Sequence, residues 1–228
     1  MKQKEHALRY YDLILALFVA LLLISNIAAT KLLEIGPFIS DGGAILFPLT
    51  YIFGDVLTEV YGYRKARRAI IVGFAASVLA ALTFLAVQYI PGAPEYTNQS
   101  AFEAVLGFVP RIVAASMAGY LCGQFINAYV LARLKVKTKG KWLWLRLIGS
   151  TVFGELADTI VFCTIAFFGI LTGGSFLNYV MVGVAYKIGV EIVCLPVTYR
   201  VIAYLKRRES IDYYDTRTDF NPLHADKR

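Results

Sequence analysis

Six long apolar stretches, at 12–33, 43–60, 68–90, 102–132, 147–171 and 178–204, alternate with short polar connectors along this 228-residue chain. Each is close to the roughly 20 residues that an α-helix needs to cross a bilayer. The second is short and carries Pro48 near its start, which fits a partly broken or re-entrant helix. The fourth is long enough to tilt or to run past the interface. The pattern predicts an all-α membrane protein: six transmembrane helices in a single integral membrane domain over 1–228, with 205–228 as a polar tail. The run after MKQKEHALRYYD is too long for a signal peptide and has no clear cleavage site, so the first span is expected to stay.

Charge in the connectors adds a direction. Basic residues occupy the N-terminal tail (Lys2, Lys4, Arg9), the connector with Arg64, Lys65, Arg67 and Arg68, the connector from Arg133 to Arg146, and the tail after Lys206. The intervening connectors at 33–43, 91–101 and 172–177 have none. This alternation predicts both termini on the cytoplasmic side and supports the count of six. Trp142 and Trp144 beside a basic connector read as an interfacial anchor. Small residues at helical spacing (Ala16 with Ala20, Gly73 with Ser77, Gly119 with Gly123) predict close helix packing.

Composition agrees: 58% of residues are hydrophobic and 17% charged, against about 25% charged in soluble domains. The net charge of +7 is accounted for by the connectors, so nucleic acid is not an expected partner; the lipid bilayer is. Cys122, Cys163 and Cys194 fall in apolar spans without CxxC spacing, so neither disulfides, metal ligands nor a cofactor are expected. No HExxH or GxGD-type motif is present, and His6 and His224 lie in polar tails, which argues against an intramembrane enzyme.

The exceptions to the apolar pattern carry the chemistry. Asp55 and Glu59, Glu155 and Asp158, and Lys187 and Glu191 are spaced i,i+4, i,i+3 and i,i+4, so each pair shares a helix face. A charge at bilayer depth costs at least about 2.5 kcal/mol on insertion scales, and normally serves a partner or a ligand. With Lys31 and Arg111, these make three basic residues against five acids. The surplus acids must take up protons or meet a donor or cation. The charge map puts Glu155, Asp158, Lys187 and Glu191 near mid-membrane, with Asn26, Lys31 and Arg111 on the outer side. Gln124 and Asn127 lie deeper toward the cytoplasm. Asp55 sits one turn above Glu59, which is expected to pair with Arg64 or Arg67 at a helix end closed by Gly62. One of Phe47, Tyr51 and Phe53 can stack on a planar ligand. Carboxylates beside aromatics suit a heterocycle with adjacent N–H donors.

The segments SNIAATK (25–31), GGAILFPLTYIFGDVLTEVYGYRKAR (42–67), RLIGSTVFGELADTIVF (146–162), YKIGVEIVCLPVTY (186–199) and YDTRTDFNP (214–222) resemble the queuosine-precursor transporter family, within the wider vitamin-uptake-transporter group. The resemblance runs from about residue 12 to 222 and is most specific between Phe47 and Arg67. It implies a bacterial inner-membrane importer of 7-cyano- and 7-aminomethyl-7-deazaguanine. It also implies a fold similar to the substrate-binding components of energy-coupling-factor transporters. The family's motif residues fall on Asn26, Lys31, Asp55, Glu59, Arg111, Glu155, Asp158, Lys187 and Glu191. On this reading the substrate-binding residues are Asn26, Asp55, Arg111, Glu155, Asp158, Lys187 and Glu191, with Lys31, Glu59, Gln124 and Asn127 in support. The alternative is a binding component for a purine-like or vitamin ligand that needs a separate ATPase coupling module; the protein partners expected are such a module or further copies of the chain in a homo-oligomer. A channel is not expected, since no filter motif repeats.

Overall fold

A computed structural model of the chain describes residues 9–28, 31–35, 38–107, 110–167, 173–216, 218 and 220. Among the described residues the chain forms seven helices and one short hairpin. They run α1 (Tyr11–Ala28), β1 (Leu32–Ile35), β2 (Phe38–Asp41), α2 (Phe47–Tyr61), α3 (Tyr63–Tyr89), α4 (Gln99–Leu106), α5 (Pro110–Lys137), α6 (Leu143–Phe167) and α7 (Gly173–Glu209). The architecture is all-helical apart from the hairpin, in which β1 pairs antiparallel with β2 and Leu32 stands opposite Asp41.

The hairpin corrects the expected first span: α1 ends at Ala28, and Leu32 and Leu33 are strand. The expected fourth span is also divided. Gln99–Leu106 is a separate short helix, and α5 starts afresh at Pro110, whose fixed φ and missing N–H suit a first helical turn. At the far end, helix replaces the expected tail as far as Glu209.

Among the described residues, four helical segments are long and apolar enough to cross a membrane: Tyr11–Ala28, Tyr63–Tyr89, Leu143–Ile165 and Val180–Glu209. Only 17–39% of the apolar window in each is buried inside the molecule, so most of these apolar faces need a non-aqueous neighbour. Leu79, Leu82, Met181, Val193 and Val197 are among the large apolar side chains left outside. α7 has 37 residues, roughly 55 Å at 1.5 Å per residue, and carries Pro196 in its interior.

Lipid tails are as apolar as leucine, so helices in a membrane are joined mainly by close packing and hydrogen bonds. The α5–α6 contact has that character. A methyl group at Gly123 would come within 2.9 Å of the Gly154 carbonyl, and one at Gly154 within 2.9 Å of the Gly123 carbonyl. Gly119 leaves room for Asp158 in the same seam. On the other side, Gly73 of α3 lets Phe18 and Leu22 of α1 approach to 3.1 and 3.2 Å of its missing Cβ. Ala16 and Ala20, by contrast, are exposed on α1. The main apolar core joins α1, α2, α3, α5, α6 and α7 around Phe18, Leu22, Leu57, Ile70, Leu131 and Leu147.

α2 and α3 are separated by one residue, Gly62. Its φ of +84° is one that L side chains rarely adopt, and the Tyr213 ring fills the space where a side chain would go. Tyr213 belongs to a C-terminal strap, described at 210–216, 218 and 220, that lacks helix and strand but is docked. The Tyr213 N–H donates to the Val60 carbonyl at 3.4 Å, and the Tyr63 hydroxyl donates to the Phe220 carbonyl at 3.0 Å. Phe220 packs on the rings of Tyr63 and Tyr129, both with centroids 5.0 Å away.

Candidate functional site

Tyr51, Asp55 and Glu59 follow one another at one-turn spacing on α2, and all three are buried. They reach two polar clusters of opposite character.

The lower cluster surrounds Glu59, which is fully buried at 0% exposure. Its carboxylate accepts from Arg146 of α6 and, at 2.6 Å, from Lys206 of α7. Lys135 of α5 lies 3.6 Å from the same carboxylate and donates to the Glu59 backbone carbonyl at 2.5 Å. Asp212 of the strap joins Lys135 at 2.5 Å and Lys206 at 3.0 Å. Burial pushes the Asp212 carboxyl up, but the hydrogen bonds from Lys135 and Lys206 outweigh it and hold Asp212 below its ordinary 3.8. Two more carboxylates from this end of the chain cap helices. Glu209 accepts the backbone N–H groups of Tyr10 (2.7 Å) and Arg9 (3.3 Å) at the start of α1. Asp215 accepts that of Tyr63 (3.0 Å) at the start of α3. Such acceptors satisfy first-turn donors and complement the helix dipole.

The upper cluster centres on Lys187 of α7. Its ammonium lies 2.6 Å from Glu155 and 2.7 Å from Asp158, both on α6, and 5.1 Å from the centroid of the Phe47 ring. Phe47 is half-buried and packs near Tyr51 and Tyr120, with ring centroids 6.1 and 6.0 Å away. The Tyr51 hydroxyl is within electrostatic reach of Asp158, Glu155 and Asp55, and the Tyr120 hydroxyl within reach of Asp158. Among the described residues neither hydroxyl has a hydrogen-bond partner, and neither has Glu155 Oε1. Buried hydroxyls and carboxylate oxygens are nearly always paired, so these three atoms beside the Lys187 cluster are candidates to meet a water or a ligand.

A third group lies below it. Asn127 of α5 donates to Asp55 Oδ1 at 2.6 Å. Glu191 of α7 is close enough to Asp55 to act on it electrostatically, and Thr151 close enough to interact with Glu191. Yet Glu191 and Thr151 reach no aligned hydrogen bond. The amide oxygen of Asn127 and both polar atoms of Gln124 are likewise open. Gln124 Oε1 lies over Gly54, within 2.6 Å of the position a Cβ would take there.

Most of the residues singled out by sequence therefore converge: Asp55, Gln124, Asn127, Glu155, Asp158, Lys187 and Glu191. Glu59 lies one turn away with different company. Its described partners are Arg146, Lys135 and Lys206, all on other helices. Lys31 is exposed beyond the end of α1. Asn26 is half-buried on α1 and makes no hydrogen bond to the carboxylates among the described residues. The backbone of Arg111 is in the first turn of α5, but its side chain lies outside the described residues. Sequence reasoning missed Tyr120 and Thr151. The signal was helical spacing: Tyr120, Gln124 and Asn127 fall on one face of α5, as do Thr151, Glu155 and Asp158 on α6. A hollow of about 420 Å³ at Tyr129, Arg133, Lys137 and Asp215 contains none of the buried intramembrane carboxylates.

Comparison with known proteins adds the family. Residues 41–201 match the family model described as "Putative vitamin uptake transporter". The chain is 30% identical over 178 residues to a "Probable queuosine precursor transporter" of Bacillus subtilis (strain 168), covering 77% of each chain. It is 26% identical over 215 residues to the "Queuosine precursor transporter" of Escherichia coli (strain K12), covering 92% of this chain and 93% of that one. A similar protein from Haemophilus influenzae (strain ATCC 51907 / DSM 11121 / KW20 / Rd), also named "Probable queuosine precursor transporter", is 30% identical over 132 residues, 58% of this chain and 53% of its own. No solved structure matches.

Proposed function

This chain belongs to the vitamin uptake transporter family, and on that premise we propose that it imports a queuosine precursor of the 7-deazaguanine class. It is a multi-pass membrane transporter and not an enzyme. The proposed topology has six spans, α1, α2, α3, α5, α6 and α7, with both termini cytoplasmic in a bacterial inner membrane. Supporting it, the basic ends of these helices meet around Glu59, Glu209 and the strap, as the positive-inside rule asks of a cytoplasmic rim.

One observation carries the substrate reading. Around Lys187, open hydroxyls (Tyr51, Tyr120) and an open carboxylate oxygen (Glu155) stand beside an aromatic ring (Phe47). A guanine-like edge offers two adjacent N–H donors that one carboxylate accepts together, and Asp158 and Glu155 fill that role. Lys187 donates to the ring carbonyl, and Phe47 covers a face of the heterocycle. Two carboxylates against one ammonium leave a net charge of −1 when all are ionised. That favours the aminomethyl cation over the neutral nitrile. The fold is proposed to be similar to that of energy-coupling-factor substrate-binding components.

Replacing Glu155 or Asp158 with Ala is expected to abolish precursor-dependent queuosine formation in transfer RNA while the protein stays in the membrane. Normal formation in both variants would sink the assignment. A second reading, a binding component for a separate ATPase module, is favoured by the exposed Ala16 and Ala20 on α1. Uptake by the purified chain alone in liposomes decides against it.

A further inference from the structure

Beyond the Lys187 cluster, the bundle holds two buried carboxylates that no base answers. Asp55 is 1% exposed and Glu191 4%. Among the described residues neither makes an ion pair. Lys187 is held by Glu155 and Asp158, and the Glu59 cations are one turn lower. The groups facing Asp55 from its neighbours are Glu191 on α7, Asn127 on α5 and Glu155 on α6, with Glu59 on its own helix. Glu191 is faced by Thr151 and Glu155 on α6 and by Asp55 on α2. None of these is a cation. Asn127 is fully buried and joined to Asp55, and among the described residues its amide oxygen has no partner; the Thr151 hydroxyl stands beside Glu191.

An ionised carboxylate with no cation in a low-dielectric interior carries a penalty of several kcal/mol, and two near each other carry more. The arrangement is relieved by adding positive charge, and a proton is the cation that needs no coordination shell. The Asp55–Asn127 contact also tells this pair from the Lys187 cluster, because it joins α2 to α5, whereas Lys187 joins α6 to α7. We propose that Asp55 and Glu191 form a proton site, separate from the Lys187 cluster, whose occupancy accompanies movement of substrate through the bundle.

The proton site itself does not depend on the substrate reading; its coupling to movement does. The first measurement therefore uses the purified full-length chain without substrate. Infrared difference spectra across pH are expected to contain protonated-carboxyl bands at neutral pH that disappear in Asp55→Asn and in Glu191→Gln. Spectra in which neither substitution removes a band overturn the site. The second measurement uses proteoliposomes with labelled 7-cyano-7-deazaguanine, chosen because it is neutral, and with labelled 7-aminomethyl-7-deazaguanine. With the outside one pH unit more acidic, one proton per neutral molecule gives about tenfold accumulation. Asp55→Asn and Glu191→Gln are expected to lose that accumulation. Equilibration without accumulation in the wild type overturns the coupling, as does accumulation that follows a sodium gradient instead. Wild-type liposomes that move neither compound, with the infrared bands present, overturn the coupling and the reading of this chain as an importer by itself, and leave the proton site standing.

Discussion

Two clusters, one helical turn apart along α2, treat buried charge in opposite ways. Around Glu59 one intramembrane carboxylate meets three cations, and the strap adds Asp212 to complete the network. Around Lys187 and Asp55, the one ammonium pairs with two of four carboxylates, and among the described residues several neighbouring polar atoms have no hydrogen-bond partner. Both arrangements are costly to assemble in a low-dielectric interior. Only the first recovers that cost within the protein. On the proposed reading, the second recovers it when substrate or a proton arrives. Saturation, more than the presence of charge, would then separate the structural cluster from the binding one.

The contrast predicts opposite responses to substitution. The largest effect is expected for Glu59→Ala, which strips Lys135 and Arg146, each about 1% exposed, of their shared carboxylate. Removing one partner of such a buried network costs about 3–5 kcal/mol. Thermal unfolding in detergent measures it, and an unchanged midpoint would erase the distinction between the two clusters. Glu155→Gln is expected to do the reverse. Deazaguanine binding should weaken tenfold or more, about 1.4 kcal/mol, while the same unfolding assay moves by less than about 1 kcal/mol. Binding by calorimetry against unfolding, on one preparation, reads both.

Smaller effects sharpen the picture at the rim. Asp215→Ala removes the acceptor for the first N–H of α3 and is expected to cost about 1 kcal/mol, as other helix caps do, with substrate affinity unchanged. The smallest effect concerns pH. Asp212 is held below its ordinary 3.8 by Lys135 and Lys206, so its contribution to stability is present above that value. It is lost as pH falls further, through the lowered folded-state pKa. Unfolding midpoints measured downward from pH 5 should therefore fall more steeply for the wild type than for Asp212→Asn.

Much of this was legible in the residues, and the limits have physical reasons. Continuous apolar runs made α3, α6 and α7 readable. The end of α1 was not, because hydropathy alone does not separate the last turn of an apolar helix from a short strand such as Leu32–Ile35. The division at 107–110 was signalled by Gly107 and Pro110, but the apolar residues on both sides hid it. Within each helix, spacing revealed the pairs Glu155 with Asp158 and Lys187 with Glu191. Partners across helices were invisible to it. Glu59 meets Lys135, Arg146 and Lys206 at separations of 76, 87 and 147 residues, while the nearer Arg64 and Arg67 looked the obvious choices. Tyr120 was overlooked because its ring reads as core, although its hydroxyl is one of the open groups.

The caps at the rim also have a place in time. Glu209 and Asp215 serve the first turns of α1 and α3, which are synthesised long before them. While α5, α6 and α7 are still being made, those turns have only water to accept their N–H groups. The rim is therefore fastened last, once residues 209–220 have left the ribosome and reached back across the bundle. A chain halted after α7 begins but before Glu209 would hold most of its helices and neither of these two clasps.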